Sequence, residues 1–413
     1  MATVIWTGAS QNTAQEITIL ITATAVGGTV AVSANSVVAA TVTYTGVTGD
    51  TVSTFASGLQ ALLASSDAPP EFQEVTWTVD TATITGVANT PGVPFTFTKA
   101  DAGGATSTLT NTVANVSSND VNNAKNWIRS GATSIPQNMD DVVLRDSNVS
   151  LLWNLSALAA VQFATFTRWN SYTGQIGLPD INPNGYFEYR ATYFQFISSA
   201  AQFPFYLGYG DGNGPSLERY NVGTQRTNVV AQGGGNGHFD FLGTNANNTI
   251  LVEGCTGNVA MGSAETSTIA SGTVNGGGTL NLGSGVTFSG ELTVNQGTVT
   301  TYCAPATMTI NNGSTVTVGA LTLTYATVTA SGNSVIIWNS DSTITTLTLQ
   351  TGASLDKSGD LRPMTITNST IDGDTCFVND PQSKITWTNA TSVRQAVTSG
   401  PFIFQGTRTV KVT

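Results

Sequence analysis

The single histidine of the chain, His238, sits in Gly233-Gly234-Gly235-Asn236-Gly237-His238-Phe239-Asp240, where Asp240 could pair with it as an acid/base couple beside a glycine-rich loop. No serine or cysteine nucleophile motif accompanies it, so a turn or corner role is the expectation. The glycine run is not a phosphate loop, because no Lys-Ser/Thr follows and no strand-to-helix switch aims backbone N–H groups at an anion. Glycoside cleavage would need two carboxylates flanking the scissile bond. The candidate acids are Asp140-Asp141, Asp211, Glu218, Asp356, Asp360, Asp372-Gly373-Asp374 and Asp380, and all are expected as turn residues without a catalytic set among them. Asp372, Asp374 and Asp380, near Asn368, are the candidate ligands for a structural Ca²⁺, although their spacing is not that of an EF-hand loop. No other cofactor is expected. For a surface glycan, the candidate contacts are Trp169, Tyr172 and Tyr209, which lie beside glycine-containing turns. Cys255, Cys303 and Cys376 match no metal-ligand spacing and are odd in number, so buried free thiols are expected.

The elements that must position these residues are short. From Thr279 the chain reads Thr279-Leu280-Asn281-Leu282, Glu291-Leu292-Thr293-Val294, Thr307-Met308-Thr309-Ile310 and Thr315-Val316-Thr317-Val318, separated by Gly-Ser-Gly, Asn-Gln-Gly and Asn-Asn-Gly. Each segment alternates one apolar face with one polar face, which is strand periodicity. Strands of three to five residues with corners between them bury their apolar face by stacking on the equivalent strand one coil away, which predicts a β-solenoid with Asn and Thr ladders. A β-sandwich would give the same alternation with longer strands and richer hairpin turns. Upstream, between 150 and 260, the apolar positions turn aromatic, as in Tyr186-Phe187-Glu188-Tyr189 and Thr192-Tyr193-Phe194-Gln195-Phe196. This predicts a wider, less regular start to the same solenoid, with rings stacked between coils.

Residues 1–115 read differently. Strand-like runs at Ile17–Ile21, Thr29–Val32, Ala40–Tyr44, Val75–Val79 and Thr81–Thr85 surround one helical pattern, Val52, Phe55, Leu59, Leu62 and Leu63, behind Asp50 as the expected N-cap. An antiparallel sheet with one packed helix fits this order.

Composition narrows the function classes. Of 413 residues only 9% are charged, against about a quarter in typical proteins, and the net charge is -11. With 14 scattered Lys and Arg there is no basic patch to neutralise phosphates, so no nucleic-acid partner is expected. No run reaches the roughly 18 apolar residues of a membrane span, so no membrane insertion is expected. Met1-Ala2-Thr3-Val4-Ile5-Trp6 carries no basic n-region of a signal peptide, which gives the expectation of synthesis in a host cytoplasm. A Thr/Gly/Asn-rich, lysine-poor surface is nevertheless of the kind found outside cells, and a particle protein reconciles the two.

Asn122-Asn123-Ala124-Lys125-Asn126-Trp127, followed by Ile135-Pro136 and Asp140-Asp141-Val142-Val143-Leu144, resembles the "N-A-x-N-W, P, D-D-V-V" opening of large β-solenoid proteins encoded by tailed phages and planctomycete-like bacteria. Pro70-Glu71-Phe72 and Gly92-Val93-Pro94-Phe95 resemble small modules of phage structural proteins. The resemblance implies a setting on a virion, not an activity. The expected fold is therefore mainly β: a small α+β domain, then a β-solenoid of the right-handed parallel β-helix type. The expected divisions are 1–115, a docking domain; 116–140, a linker and the cap that opens the solenoid; 141–265, the wide aromatic part; 266–391, the regular part; and 392–413, a C-terminal cap. The expected function is a non-enzymatic capsid decoration, tail fibre or spike, trimeric, bound to other virion proteins. The alternatives are a receptor-binding protein or adhesin for a host-surface glycan and, behind it, a polysaccharide depolymerase.

Overall fold

Short alternating strands divided by corner residues leave the chain one way to bury its apolar faces, by coiling. In the computed structural model, described for residues 2–34, 40–198, 203–209, 211–233, 238–319, 322–372, 375–389, 392–394 and 404–405, the chain is mainly β. It forms a parallel β-solenoid of about eleven turns and an antiparallel sheet domain with one helix. Two long parallel sheets form the main faces of the solenoid. One inward ladder of the first sheet runs Val142, Phe166, Phe205, Val229, Ile250, Gly272, Leu292, Met308, Val328 and Leu347. Its counterpart in the second sheet runs Glu218, Phe239, Gly257, Leu280, Val299, Val316, Ile336, Leu355 and Val378. The apolar members with side chains are buried and form one continuous core. Gly257 is a packing choice: a Cβ there would lie 2.5 Å from Cζ of Phe239, one coil earlier. Corners in the regular part place Asn312 and Asn333 in the left-handed region, at φ 56° and 60°, where asparagine is better tolerated than most side chains.

The first strand of the chain belongs to the solenoid and not to the domain that follows it. Thr3–Trp6 pairs in parallel with Asp141–Leu144, Val4 opposite Val142, and antiparallel with Trp127–Arg129, Trp6 opposite Trp127. A four-residue apolar strand has no local partner, and here Val4 and Trp6 are buried in the solenoid core, the two indoles meeting edge to face at 4.8 Å. The domain expected at 1–115 is thus an insertion. Its neck is the antiparallel bridge between Thr13 and Val116, with Thr13 N donating to Val116 O at 2.8 Å.

The segment expected to begin as a linker at 116 folds as the cap that opens the solenoid. Asn126 is fully buried, accepts from Ser10 N and donates to Ser117 O and Asp120 O, while Trp127 Nε1 donates to Val121 O. Asp140 accepts from Ala2 N, Gln137 N and Arg129, so the motif residues serve structure.

Inside the insertion, Val75–Asp80, Thr83–Ala88, Glu16–Ala23 and Thr106–Val113 form one antiparallel sheet, and Ala40–Thr45, Thr29–Ala34 and Phe97–Ala102 a second. The helix Val52–Leu63 buries Phe55, Ala56, Leu59 and Leu63 in a core of its own. Its N-cap is Thr51 and not Asp50: Thr51 and Thr54 exchange side-chain to backbone hydrogen bonds in a capping box. Asp50 lies one residue outside, accepting from Val47 N and Thr54 Oγ1. Leu62 is exposed. At the other end of the chain, most of the expected cap at 392–413 lies outside the described residues; Ser392–Arg394 and Phe404–Gln405 continue the two parallel sheets.

Candidate functional site

The early coils carry two clusters of polar groups, one inside and one outside. Inside, Arg168 and Glu218 occupy inward ladder positions, in register with Leu207 and Phe239. They form a bidentate ion pair with side chains at most 9% exposed. Arg168 Nη1 also donates to Asn170 Oδ1 at 2.6 Å, and Tyr220 Oη to Glu218 Oε2 at 2.6 Å. Glu218, expected as a turn acid, is therefore a core residue whose charge is fully matched. Burial pushes the Tyr220 phenol well above its ordinary range.

Outside, the chain between Ile176 and Phe194 leaves the coil as a long excursion that does two jobs. Its Arg190 guanidinium stacks on Trp153 at 4.8 Å and Tyr189 at 4.9 Å, pairs with Glu188, and donates to Pro94 O of the inserted domain at 2.5 Å. Tyr186 Oη donates to Glu74 Oε1 of that domain at 2.6 Å. Burial raises the Glu74 carboxyl against the opposing pull of Arg190. The excursion thus clamps the inserted domain to the solenoid, with a cleft of about 580 Å³ between them that reaches Val93, Trp153 and Pro183.

The same excursion walls a second, polar cleft of about 390 Å³ over the outer face of the second sheet. Its floor comes from three successive strands, Leu217–Asn221, His238–Leu242 and Thr256–Val259, which stack Arg219, Asp240 and Asn258 in register. His238 lies two residues before Asp240 on the same strand. Asp180 and Tyr193 close one side, and the corner carrying Met261, Gly262 and Glu265 the other. Arg219 is the hub: its Nε donates to Asp240 Oδ2 at 3.1 Å, its terminal nitrogens to both Asp180 oxygens at 2.7 and 2.9 Å, to Leu178 O and to Tyr193 Oη. Asn258 Nδ2 donates to Asp240 Oδ1 at 2.8 Å. Glu265 accepts from Tyr193 Oη at 2.5 Å and from Gly262 N at 2.7 Å. Burial, then the bond to Glu265, holds the Tyr193 phenol far above its ordinary range, which removes it as a proton acceptor.

Of the residues singled out in the sequence, the cleft gathers His238 and Asp240. It does not gather the expected glycan contacts. Tyr172 is fully buried, its hydroxyl donating to Val149 O at 2.9 Å, because a ring at that place fills the wide core. Trp169 is half-buried in the first sheet, under the Arg145 guanidinium at 5.9 Å. The Tyr209 side chain lies outside the described residues.

Of the expected Ca²⁺ ligands, Asp372 and Asp380 lie among the described residues. Asp380 is buried and holds its own corner, accepting from Lys384 N at 2.7 Å and Ile385 N at 2.9 Å. Asp372 is half-buried at the end of Met364–Asp372, and Asp374 lies outside the described residues. Among the described residues no three His, Cys, Asp or Glu are arranged to hold a metal. Cys303 and Cys376 are buried, whereas Cys255 is half-buried. Burial pushes the Cys255 and Cys303 thiols up to about 11, far from the thiolate a nucleophile needs.

The cleft residues that the sequence did not single out are Asp180, Arg219, Asn258 and Glu265, and Tyr193, read there as a ring stacked between coils, instead lines the cleft. Arg219, Asp240 and Asn258 were within reach, since they fall 21 and 18 residues apart at outward positions of successive coils. Asp180 and Glu265 arrive from irregular segments with no periodicity to follow. Fold and cleft together define a parallel β-solenoid with a domain inserted after its first strand and a polar recess on one outer face. No family model matches the chain, and no curated protein or solved structure matches it. No helix among the described residues is long and apolar enough to cross a membrane.

Proposed function

We propose that this chain is a non-enzymatic structural protein of a tailed-phage virion, a decoration, fibre or spike whose solenoid is the projecting element and whose inserted domain docks on the particle. The observation that carries the reading is the way the two are joined. The first strand threads the domain into the solenoid at Thr13 and Val116, and Arg190 and Tyr186 clamp it from the other side, an arrangement suited to transmitting load between a docking unit and a shaft. Low charge, many uncharged polar side chains outside and the motif likeness in residues 122–144 support the same reading. Self-association as a trimer and contacts to other capsid or tail proteins belong to the proposal.

A depolymerase reading draws on the three carboxylates of the polar cleft, yet glycoside cleavage requires a carboxylic acid able to deliver a proton. All six oxygens of Asp180, Asp240 and Glu265 accept hydrogen bonds from Arg219, Asn258, Tyr193 or Gly262 N. Purified particles tested by mass spectrometry and by immunogold imaging with an antibody against residues 14–115 decide the matter. The protein is expected in stoichiometric amounts on the particle surface, and its absence from virions overturns the proposal.

A further inference from the structure

We propose that the polar cleft over Leu217–Asn221, His238–Leu242 and Thr256–Val259 binds a neutral carbohydrate through its hydroxyl groups. This does not depend on whether the chain belongs to a virion. The argument begins with what the cleft can no longer do. A guanidinium has five N–H donors, and those of Arg219 meet Asp240, Leu178 O, both oxygens of Asp180 and Tyr193 Oη. With its donors committed and three carboxylates around it, the cleft opposes a phosphate or a uronic acid. The carboxylates are not grouped as metal ligands.

What the cleft offers outward is acceptors held in place. Each carboxylate oxygen has a second lone pair beyond the bond it already accepts, and the Asp180 side chain is 55% exposed despite its pairing. Carboxylates fixed by an arginine and an asparagine suit hydroxyl donors, because their orientation costs nothing further when the ligand arrives. Recesses of about 300–1,000 Å³ hold small organic ligands through a few placed polar groups, and about 390 Å³ lies in that range. Parallel strands repeat every ~4.8 Å, so the Asp240 and Asn258 pair continues to Asn281, whose Nδ2 donates to Asn258 Oδ1 at 2.8 Å. The ladder extends the polar floor along the solenoid axis, as a chain-like ligand would need.

The experiment is an array of neutral and acidic oligosaccharides probed with the full chain, followed by calorimetry on the bound members. Wild type is expected to bind neutral glycans. Met261→Trp changes an exposed lip residue outside the ion network and is expected to weaken binding at least tenfold with an unchanged circular dichroism spectrum. Asp240→Asn is expected to do the same. Trp169→Ala, on the other sheet, is expected to leave binding unchanged. No bound glycan, binding of acidic glycans alone, or equal binding by Met261→Trp overturns the proposal. So does release of reducing ends from the bound sugar, which would make the cleft catalytic.

Discussion

The early coils, 141–265, and the later coils, 266–389, share register and sheets but are held by different forces. In the later coils the interior is mostly aliphatic, with Leu280, Val299, Val316 and Ile336 fully buried in line, and only local exceptions such as the Tyr325–Trp338 ring pair and the Lys357–Asp360 ion pair. In the early coils it is aromatic and ionic: Phe166 meets Phe205 at 5.1 Å and Phe196 at 5.2 Å, and Arg168 pairs with Glu218 among them. Aliphatic ladders stack by repetition, so each coil needs its neighbours and little else. A buried ion pair costs the desolvation of two charges, and removing one member leaves the other buried and uncompensated. The difference teaches where this solenoid spends its irregularity. The coils with the demanding interior are also the ones that emit the excursion, grip the inserted domain and form the cleft.

The sharpest way to break that contrast is to remove one charge. Glu218→Leu leaves Arg168 buried without its partner, and the expected loss is about 3–5 kcal/mol. The double variant Arg168→Met with Glu218→Leu is expected to recover most of it. Urea unfolding measures both, and hydrogen exchange should place the single variant's damage in residues 141–265. A single variant as stable as wild type would show that the ion pair does not organise these coils. In the later coils, Ile336→Ala removes a fully buried side chain and is expected to cost about 2–4 kcal/mol. Exchange protection should fall in the adjoining strands Thr315–Val318 and Ser354–Asp356 and hold elsewhere. Loss spread over the whole solenoid would contradict nearest-neighbour stacking.

The later coils were the more legible of the two in the sequence, for a physical reason. Thr279-Leu280-Asn281-Leu282 and its successors state strand, face and corner with two-residue periodicity, and each pairs in the register that pattern demands. The early coils break the code in three ways. Arg168 and Glu218 are charged residues at inward positions, which alternation alone assigns to the surface. The excursion before Phe194 has almost no ladder, only the bridge between Ile181 and Phe187, so nothing local announces that Asp180, Tyr193 and Glu265 meet. Thr3–Trp6 finds its partner at Asp141–Leu144, far beyond the reach of local pattern, and the sequence order then suggests a domain boundary in the wrong place. For the cleft, only His238 and Asp240 were visible, and as a pair without partners.

A third prediction uses acid. In the later coils Asp360 accepts from Lys357 Nζ at 2.6 Å and from Arg362 Nε at 2.8 Å. Burial works against the charge, but the bonds from Arg362 and Lys357 prevail and lower its pKa from 3.8 to about 2. A carboxyl depressed in the folded state contributes stability that is complete above the unfolded value and lost as pH falls through the folded one. Wild type is therefore expected to lose this contribution between pH 4 and 2, while Asp360→Asn is less stable at neutral pH and lacks that part of the acid dependence. Thermal melts across pH 2–7 measure it, and parallel pH curves for the two proteins would refute it.

The smallest effect tests whether the outer ladder distinguishes the two regions at all. Asn281→Ala removes the donor to Asn258 Oδ1, whose carboxamide in turn steadies Asp240. Asn258 is half-buried, so water can replace the lost donor, and the expected cost is about 0.5–1 kcal/mol. Thr300→Ala, the next outward position in register, ends no such chain and is expected to cost less, within about 0.5 kcal/mol of wild type. Melting temperatures of the two variants give the comparison. Equal small losses would mean that the ladder is a by-product of stacking, with the cleft floor held by Arg219 alone. A larger loss for Asn281 would mean that the regular coils brace the irregular ones from below, one amide at a time.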